Sequence, residues 1–241
     1  MIPNNNPEAV FKVLDHGLVR LVDHMGTELN IVRSARVSYD AEWRAGDDTG
    51  SDARLLKYLI KNKHTSPFES VVVTFEVRAP MFVLRQWHRH RTWSYNEVSA
   101  RYSELPEEFY VPNAGMYGMQ SASNKQMRDI AGDALGVDAE TAEKELRWEG
   151  EQREHMESAF ALYHKHISEG MPRELARIVL PLATYSHMFA TVNLHNLFHF
   201  LRLRLHSHSQ YEIRVYAEAM LNLIRPLYPC SVTTFEEIIN G

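Results

Sequence analysis

Hydrophobic and polar positions alternate most clearly over Ser70–Arg78. Val71, Val73, Phe75 and Val77 fall on one side, and Val72, Thr74, Glu76 and Arg78 on the other. A repeat of two is the signature of a strand with one buried face. Val10–Leu14 and Leu18–Val22 read as shorter strands, punctuated by Gly17 and closed by Gly26. A helical period takes over elsewhere. Ile31–Tyr39 reads as a helix carrying Arg33 and Arg36. A loop rich in Gly and Asp over 41–52 follows, with Ser51 or Asp52 positioned to cap a helix from Ala53 to about Lys63. Leu55, Leu56, Leu59 and Ile60 form the apolar stripe of that helix. Pro67 breaks it within His64–Phe68, because the residue before a proline is pushed out of helical geometry.

Pro80 suits the first turn of a helix bearing Met81, Phe82, Leu84 and Arg85, so that Arg85 and Arg89 share a face. Thr92 to Ala100 reads as a loop and Arg101–Ser103 as a short strand. Residues 113–123 read as a mobile loop, and Ser123 or Asn124 to about Leu135 as a helix. Asp138 is positioned to cap a long helix that Gly170 ends near Glu169, with the charged run from Glu143 to Ser158 as a solvated face. Pro172 opens a helix that sets Arg173 and Arg177 one turn apart. Helices follow over Thr191 to Leu205, Tyr211 to Leu227 and Thr234–Asn240. Strands early and helices late imply an α+β fold, an antiparallel sheet packed with helices. No linker or repeat divides the chain, so residues 1–241 are expected to form a single domain, with residues 1 to 9 a loose lead-in.

Composition narrows the chemistry. The 241 residues are 44% hydrophobic, enough for a substantial core, and the formal net charge is −5. An acidic balance argues against a general nucleic-acid binder, which gains affinity by displacing counterions. The one cysteine, Cys230, excludes an intrachain disulfide and a Cys/His zinc pattern. The first residues lack a basic segment followed by an apolar core, and no apolar run is long enough for a bilayer, so the expected location is cytoplasmic. No G-x-G-x-x-G and no Walker A loop is present.

Against that acidic background, residues 85 to 102 (RQWHRHRTWSYNEVSARY) concentrate Arg85, Arg89, Arg91 and Arg101 among Trp87, Trp93, Tyr95 and Tyr102. Guanidinium forks suit phosphate and carboxylate oxygens, and aromatic faces suit flat heterocycles. The pairing suggests a pocket for a planar ring carrying phosphate; a basic surface face is the alternative. Thirteen histidines raise the question of metal. The pairs His88/His90, His195/His199 and His206/His208 offer spacing without a carboxylate or third ligand, so no metal site is expected.

Arg89-His90-Arg91, seven residues, then Ser99 matches the R-H-R-x7-S signature, and the chain thereby resembles the flavin-dependent thymidylate synthases. ARVSY (35–39), HTSPFES (64–70), PRELARIVLP (172–181) and the blocks of 191–213 agree in the same order, so that the likeness runs from about residue 10 to the end. The resemblance implies conversion of dUMP to dTMP, with carbon from methylenetetrahydrofolate and electrons from NADPH by way of FAD. It implies Gln86, Arg89, Glu97, Ser99, Arg101, Arg177 and Arg204 as dUMP-binding residues, with Arg204 catalytic. His64, Ser66, Arg89, His90, Arg91 and Glu97 correspond to FAD-binding positions, joined by Asn193, His195 and His199. Several members carry Arg and Asn at the last two positions. It also implies a homotetramer with sites shared between subunits, and neither a nucleic-acid nor a membrane partner.

For Ser99 three roles stand open: phosphate contact, covalent nucleophile, or turn former. Cys230, far from the basic blocks, reads as a helix-boundary residue rather than a thiolate nucleophile. The competing reading of the whole chain is a nucleotide- or RNA-binding module without redox activity.

Overall fold

The structure, a computed structural model, describes residues 10–46, 50–130 and 138–241. The lead-in over 1–9 and the far end of the helix expected to Leu135 lie outside them. Strands β1 (Val10–Val13), β2 (Gly17–Met25), β3 (Val72–Pro80), β4 (Ser94–Glu97) and β7 (Tyr185–Asn193) form one sheet in the order β1-β2-β3-β7-β4, antiparallel throughout. A separate ribbon pairs β5 (Met119–Gln120) with β6 (Arg128–Asp129). The helices are α1 (Glu28–Arg36), α2 (Ser51–Lys61), α3 (Met81–Trp87), α4 (Ala139–Ser168), α5 (Arg173–Ala176), α6 (Leu194–Arg204), α7 (Tyr211–Ile224) and α8 (Pro229–Asn240). The fold is the expected α+β class.

Strand β3 is the sheet's spine. Val73, Phe75 and Val77 are fully buried and join Val19, Met188 and Ala190 in one core with Trp87, Phe200, Tyr216 and Phe235 of the helices. Its other side faces outward and is polar: Arg20 Nε donates to Glu76 Oε2 at 2.6 Å, His187 Nε2 lies 2.8 Å from Glu76 Oε1, and the Thr74 and Thr191 hydroxyls bond at 2.9 Å. The β1–β2 turn depends on Gly17, where a Cβ would run into the Tyr216 hydroxyl and the Val13 carbonyl. A smaller core of Phe160, Tyr163 and Ala176 seats α4 on α5.

Several elements differ from the sequence expectation. The helix expected from Thr191 begins at Leu194, because Tyr185–Asn193 is strand β7. Its inward residues, Ser186, Met188, Ala190 and Val192, are mostly small, while the outward face carries Phe189, so alternation of polarity is weak. Ser94–Glu97, expected as loop, is an edge strand whose register comes from β7, distant in sequence. Arg101–Ser103 is a turn rather than a strand, closed by Tyr102 N–H to the Ser99 carbonyl at 3.0 Å. Asn124–Ile130 holds a turn and β6 instead of helix. PRELARIVL divides into α5 and a 3₁₀ turn over Arg177–Val179. Gly50, not Ser51 or Asp52, is the N-cap of α2, and Asp52 instead accepts from Arg36 and from the Gly46 N–H. Asp138 does cap α4, accepting from the Thr141 N–H at 2.8 Å.

The segment expected as a mobile loop is tied to α4. Glu145, 1% exposed, accepts from the Gly115 N–H and from the Gly118 N–H (3.0 Å for the latter), and Glu149 accepts from the Ala114 N–H at 2.8 Å. The charged run is therefore solvated except where these carboxylates cap the loop.

Candidate functional site

Helix α3 ends at Trp87 in a turn where the His90 N–H donates to the Trp87 carbonyl at 2.9 Å. What holds that turn is aromatic packing. Trp87 is fully buried and stacks on Phe200 of α6 at 4.9 Å, Trp93 packs edge-on to Trp87 at 5.7 Å, and the Tyr95 ring lies parallel to Trp93 at 6.2 Å. The Tyr95 hydroxyl donates to the Trp87 and His90 carbonyls at 3.3 and 3.0 Å. The expectation that these tryptophans present faces to a flat ligand is thereby corrected. They are core, chosen for burial, and their packing turns Arg85, Arg89 and Arg91 toward solvent.

The first cleft, about 420 Å³, opens beside the end of α6 and is lined by Gln86, Gln126, Arg202, Arg204, His206 and Gln210 among others. Arg204 Nε donates to His90 Nε2 at 3.1 Å, and Arg204 Nη2 donates to the Gln86 carbonyl at 3.3 Å. The Gln86 side-chain Nε2 donates in turn to the Gln210 side-chain Oε1. Burial, then the neighbouring Arg204 and His199, push the His90 imidazole down to about 4, so it is a neutral acceptor at neutral pH. Burial also pushes the Arg204 guanidinium down, but from a value so high that it stays cationic.

A second cleft, about 290 Å³, shares no lining residue with the first. Glu97, Val98, Ala100, Arg177, Ile178 and Ser186 form its walls. The Ser186 hydroxyl donates to Glu97 Oε1 at 2.6 Å. Ser99 adjoins, its Oγ accepting from the Arg101 N–H at 3.3 Å. That contact is an ST-turn, and no histidine or carboxylate bonds the Ser99 hydroxyl among the described residues. Arg101 lies over the Tyr102 ring at 5.4 Å.

The third cleft, about 370 Å³, has an apolar floor of Leu59, Phe68, Phe198 and Phe235, with Phe198 and Phe235 stacked at 4.7 Å. Its rim carries His64, Thr65, His195, His199 and Arg202. Burial, then Arg202 and His195, hold His199 below the usual imidazole range. An apolar floor with a cationic and imidazole rim suits a flat aromatic ring bearing anionic groups. Ser66 is exposed in the 3₁₀ turn Ser66–Ser70, and the Asn193 side chain caps α6 by accepting from the Asn196 N–H at 2.9 Å. Among the described residues no group of His, Cys, Asp or Glu is arranged to hold a metal ion.

One electrostatic contrast marks the site. Arg20, Arg36, Arg78, Arg128 and Arg225 all have carboxylate partners. Arg85, Arg89, Arg91, Arg101, Arg177, Arg202 and Arg204 make no ion pair among the described residues. In a chain of net charge −5, these unneutralised guanidinium groups give the motif segments a local cationic character.

Two residues outside the expected set belong to this geometry. Arg202 borders both the first and third clefts and lies three residues from His199 on α6, a spacing that would have flagged it. Gln210 sits in the SHSQYEI block, but its role depends on a contact with Gln86, 124 residues away.

Comparison with known proteins finds relatives over most of the chain. Residues 20–230 match the family model described as thymidylate synthase complementing protein. A protein from Treponema denticola named flavin-dependent thymidylate synthase is 48% identical over 231 residues, covering 94% of this chain and 81% of that one. One of the same name from Thermus thermophilus is 45% identical over 228 residues, 93% of this chain and 77% of that one. Among solved structures, the UMP/dUMP methylase PolB from Streptomyces cacaoi bound with 5-Br dUMP superposes with a TM-score of 0.78 at 38% identity, over 94% of this chain and 97% of that one.

Proposed function

This chain belongs to the flavin-dependent thymidylate synthase family, and on that premise we propose that it makes dTMP by reductive methylation of dUMP, with methylenetetrahydrofolate as carbon donor and NADPH as the source of electrons carried by FAD. The observation that carries the reading is that Arg177, Arg202 and Arg204 line the clefts with no ion pair among the described residues, above all Arg204. That guanidinium is half-buried, has no carboxylate partner among the described residues, and borders an open cleft.

In this reading dUMP is bound by Gln86, Arg89, Glu97, Ser99, Arg101, Arg177 and Arg204. Uracil C5 is a weak nucleophile, and a guanidinium beside N3 and the ring carbonyls strengthens it by stabilising negative charge on the ring. Arg204 takes that role. Arg101 and Arg177 meet phosphate, with the Ser99 hydroxyl as a further donor. His64, Ser66, Arg89, His90, Arg91, Glu97, Asn193, His195 and His199 are assigned to the flavin. When bound, the flavin supplies the electrons that reduce the transferred carbon to a methyl group. The apolar floor between α2, α6 and α8 keeps water from one side of that cleft.

Of the assigned dUMP residues, Gln86 and Arg204 line one cleft and Glu97 and Arg177 a separate one, and the apolar side chains Val98 and Ile178 are exposed around the second, 74% for Ile178. Such a patch beside half a site favours a homotetramer in which the halves come from different copies. The contiguous core running from the strands to α8 favours one domain. A visible absorbance spectrum of the purified protein, with dTMP assayed with and without NADPH, tests the reading. A flavin spectrum and NADPH-dependent dTMP formation are expected; a colourless protein that forms no dTMP would overturn it.

A further inference from the structure

We propose that His90 is a positioning residue for Arg204, its Nε2 fixing the guanidinium by Nε so that the free N–H groups on the opposite side are presented to the substrate uracil. The inference rests on the thymidylate synthase reading of the first cleft and adds to His90, otherwise assigned to the flavin, a task within the protein.

The geometry leaves His90 little freedom. It is 8% exposed, its ring packs edge-on to Phe200 at 4.9 Å, and its carbonyl is held by the Tyr95 hydroxyl. Nε2 therefore points in a fixed direction, and the Arg204 Nε–H meets it at 3.1 Å. The Gln86 carbonyl takes a second N–H, from Nη2. Two acceptors on two atoms of a planar group fix both its position and its plane. Neither acceptor is charged. A carboxylate in either place would neutralise the guanidinium and weaken its pull on the uracil, whereas a neutral imidazole orients it and leaves its charge for the substrate. The imidazole must carry its proton on Nδ1 for this bond to form, and its depressed basicity agrees with a ring that stays neutral beside a cation.

The test is a double-mutant cycle between His90 and Arg204, joined to a measurement that needs no ligand. His90→Phe keeps an aromatic ring against Phe200 and removes the acceptor; His90→Met, unbranched and apolar, serves the same arm if the phenylalanine variant does not fold. His90→Gln restores an acceptor. For dTMP formation, His90→Phe is expected to lower kcat roughly 100-fold, the cost of a misplaced catalytic group. His90→Gln is expected to recover to within about 10-fold of wild type. In an Arg204→Ala background, His90→Phe is expected to cost less than about 3-fold more, since the residue it positions is gone. Equal losses in both backgrounds, or His90→Gln as impaired as His90→Phe, would overturn the proposal. Separately, nitrogen-15 NMR of the arginine side chains should show an Arg204 Nε–H slow to exchange in the wild-type protein and fast in His90→Phe. A fast-exchanging Nε–H in wild type overturns the positioning whatever the activity. A protected Nε–H in a protein that forms no dTMP overturns the functional reading and leaves the bond standing.

Discussion

Among single residues, Arg204 differs from Arg225 in what surrounds it. Arg225 forms a two-point pair with Glu236, Nη2 to Oε1 at 2.8 Å, whereas Arg204 is held by neutral acceptors and keeps its charge available. Replacing it with lysine keeps the charge but loses the planar fork, so kcat for dTMP should fall roughly 100- to 1,000-fold in a steady-state assay. Cys230 should behave in the opposite way. Burial, then Glu28, push its thiol up, and its Sγ–H faces the Ala53 carbonyl at 3.7 Å in the first turn of α8. A thiol so placed is not a thiolate at neutral pH. Cys230→Ala should keep full dTMP-forming activity, measured beside wild type; its complete loss would contradict a mechanism that needs no cysteine nucleophile. At this scale the sequence singles out Arg204, which the structure sets at the wall of an open cleft, and Ser99, which it sets in a turn before Arg101. It misled where residue type alone was the argument. Trp87 and Trp93 have the chemistry of ligand platforms and the burial of core. Nothing local distinguishes the two uses, because burial is a property of what packs on them from α6.

Elements built from local pattern were legible and those built from distant partners were not. β3 announces itself because its outward side is polar except for Val72 at its start. β7 and β4 do not, since one has Ser and Ala inside and Phe outside, and the other is ordered by pairing to the first. The outward face of the sheet carries an acid-sensitive tie. Burial pushes the Glu76 carboxyl up, but hydrogen bonds from Arg20 and His187 outweigh it and leave it below its ordinary value of 4.5. A depressed carboxylate contributes stability that is complete above its unfolded value and is lost as pH falls through the folded one. Urea unfolding midpoints should therefore fall more steeply for wild type than for Glu76→Gln between about pH 6 and pH 3, the two converging in acid. The loop tied to α4 gives a second test. Glu145→Ala would strand the Gly115 and Gly118 N–H groups, at a cost of about 1–3 kcal/mol each where no water replaces the carboxylate. The expected readout is a lowered melting temperature with new proteolytic cuts between residues 113 and 130. The same loop bears Gln126, which borders the Arg204 cleft, so dUMP affinity should weaken alongside.

For the whole molecule, the separation of Gln86 and Arg204 in one cleft from Glu97 and Arg177 in another is the fact that a sequence, being one chain, is unable to convey. The stretch 85–102 is continuous in sequence, yet Gln86 lines one cleft and Glu97 another, with the edge strand β4 reached only after the turn. If each site takes Arg204 from one copy and Arg177 from another, two inactive variants should rescue each other. An assembly mixing Arg204→Ala chains with Arg177→Ala chains contains sites that receive both mutated positions and sites that receive neither. The second kind has an intact Arg204 from the Arg177→Ala chain and an intact Arg177 from the Arg204→Ala chain. Co-expressed with different tags and purified through both, the mixed assembly should form dTMP at a rate well above either variant alone, up to about half the wild-type rate per chain for a two-chain site. If both residues served the same site from one chain, every site would carry one mutation and mixing would restore nothing. The sign of that single comparison separates a site completed by assembly from one closed by motion within a chain.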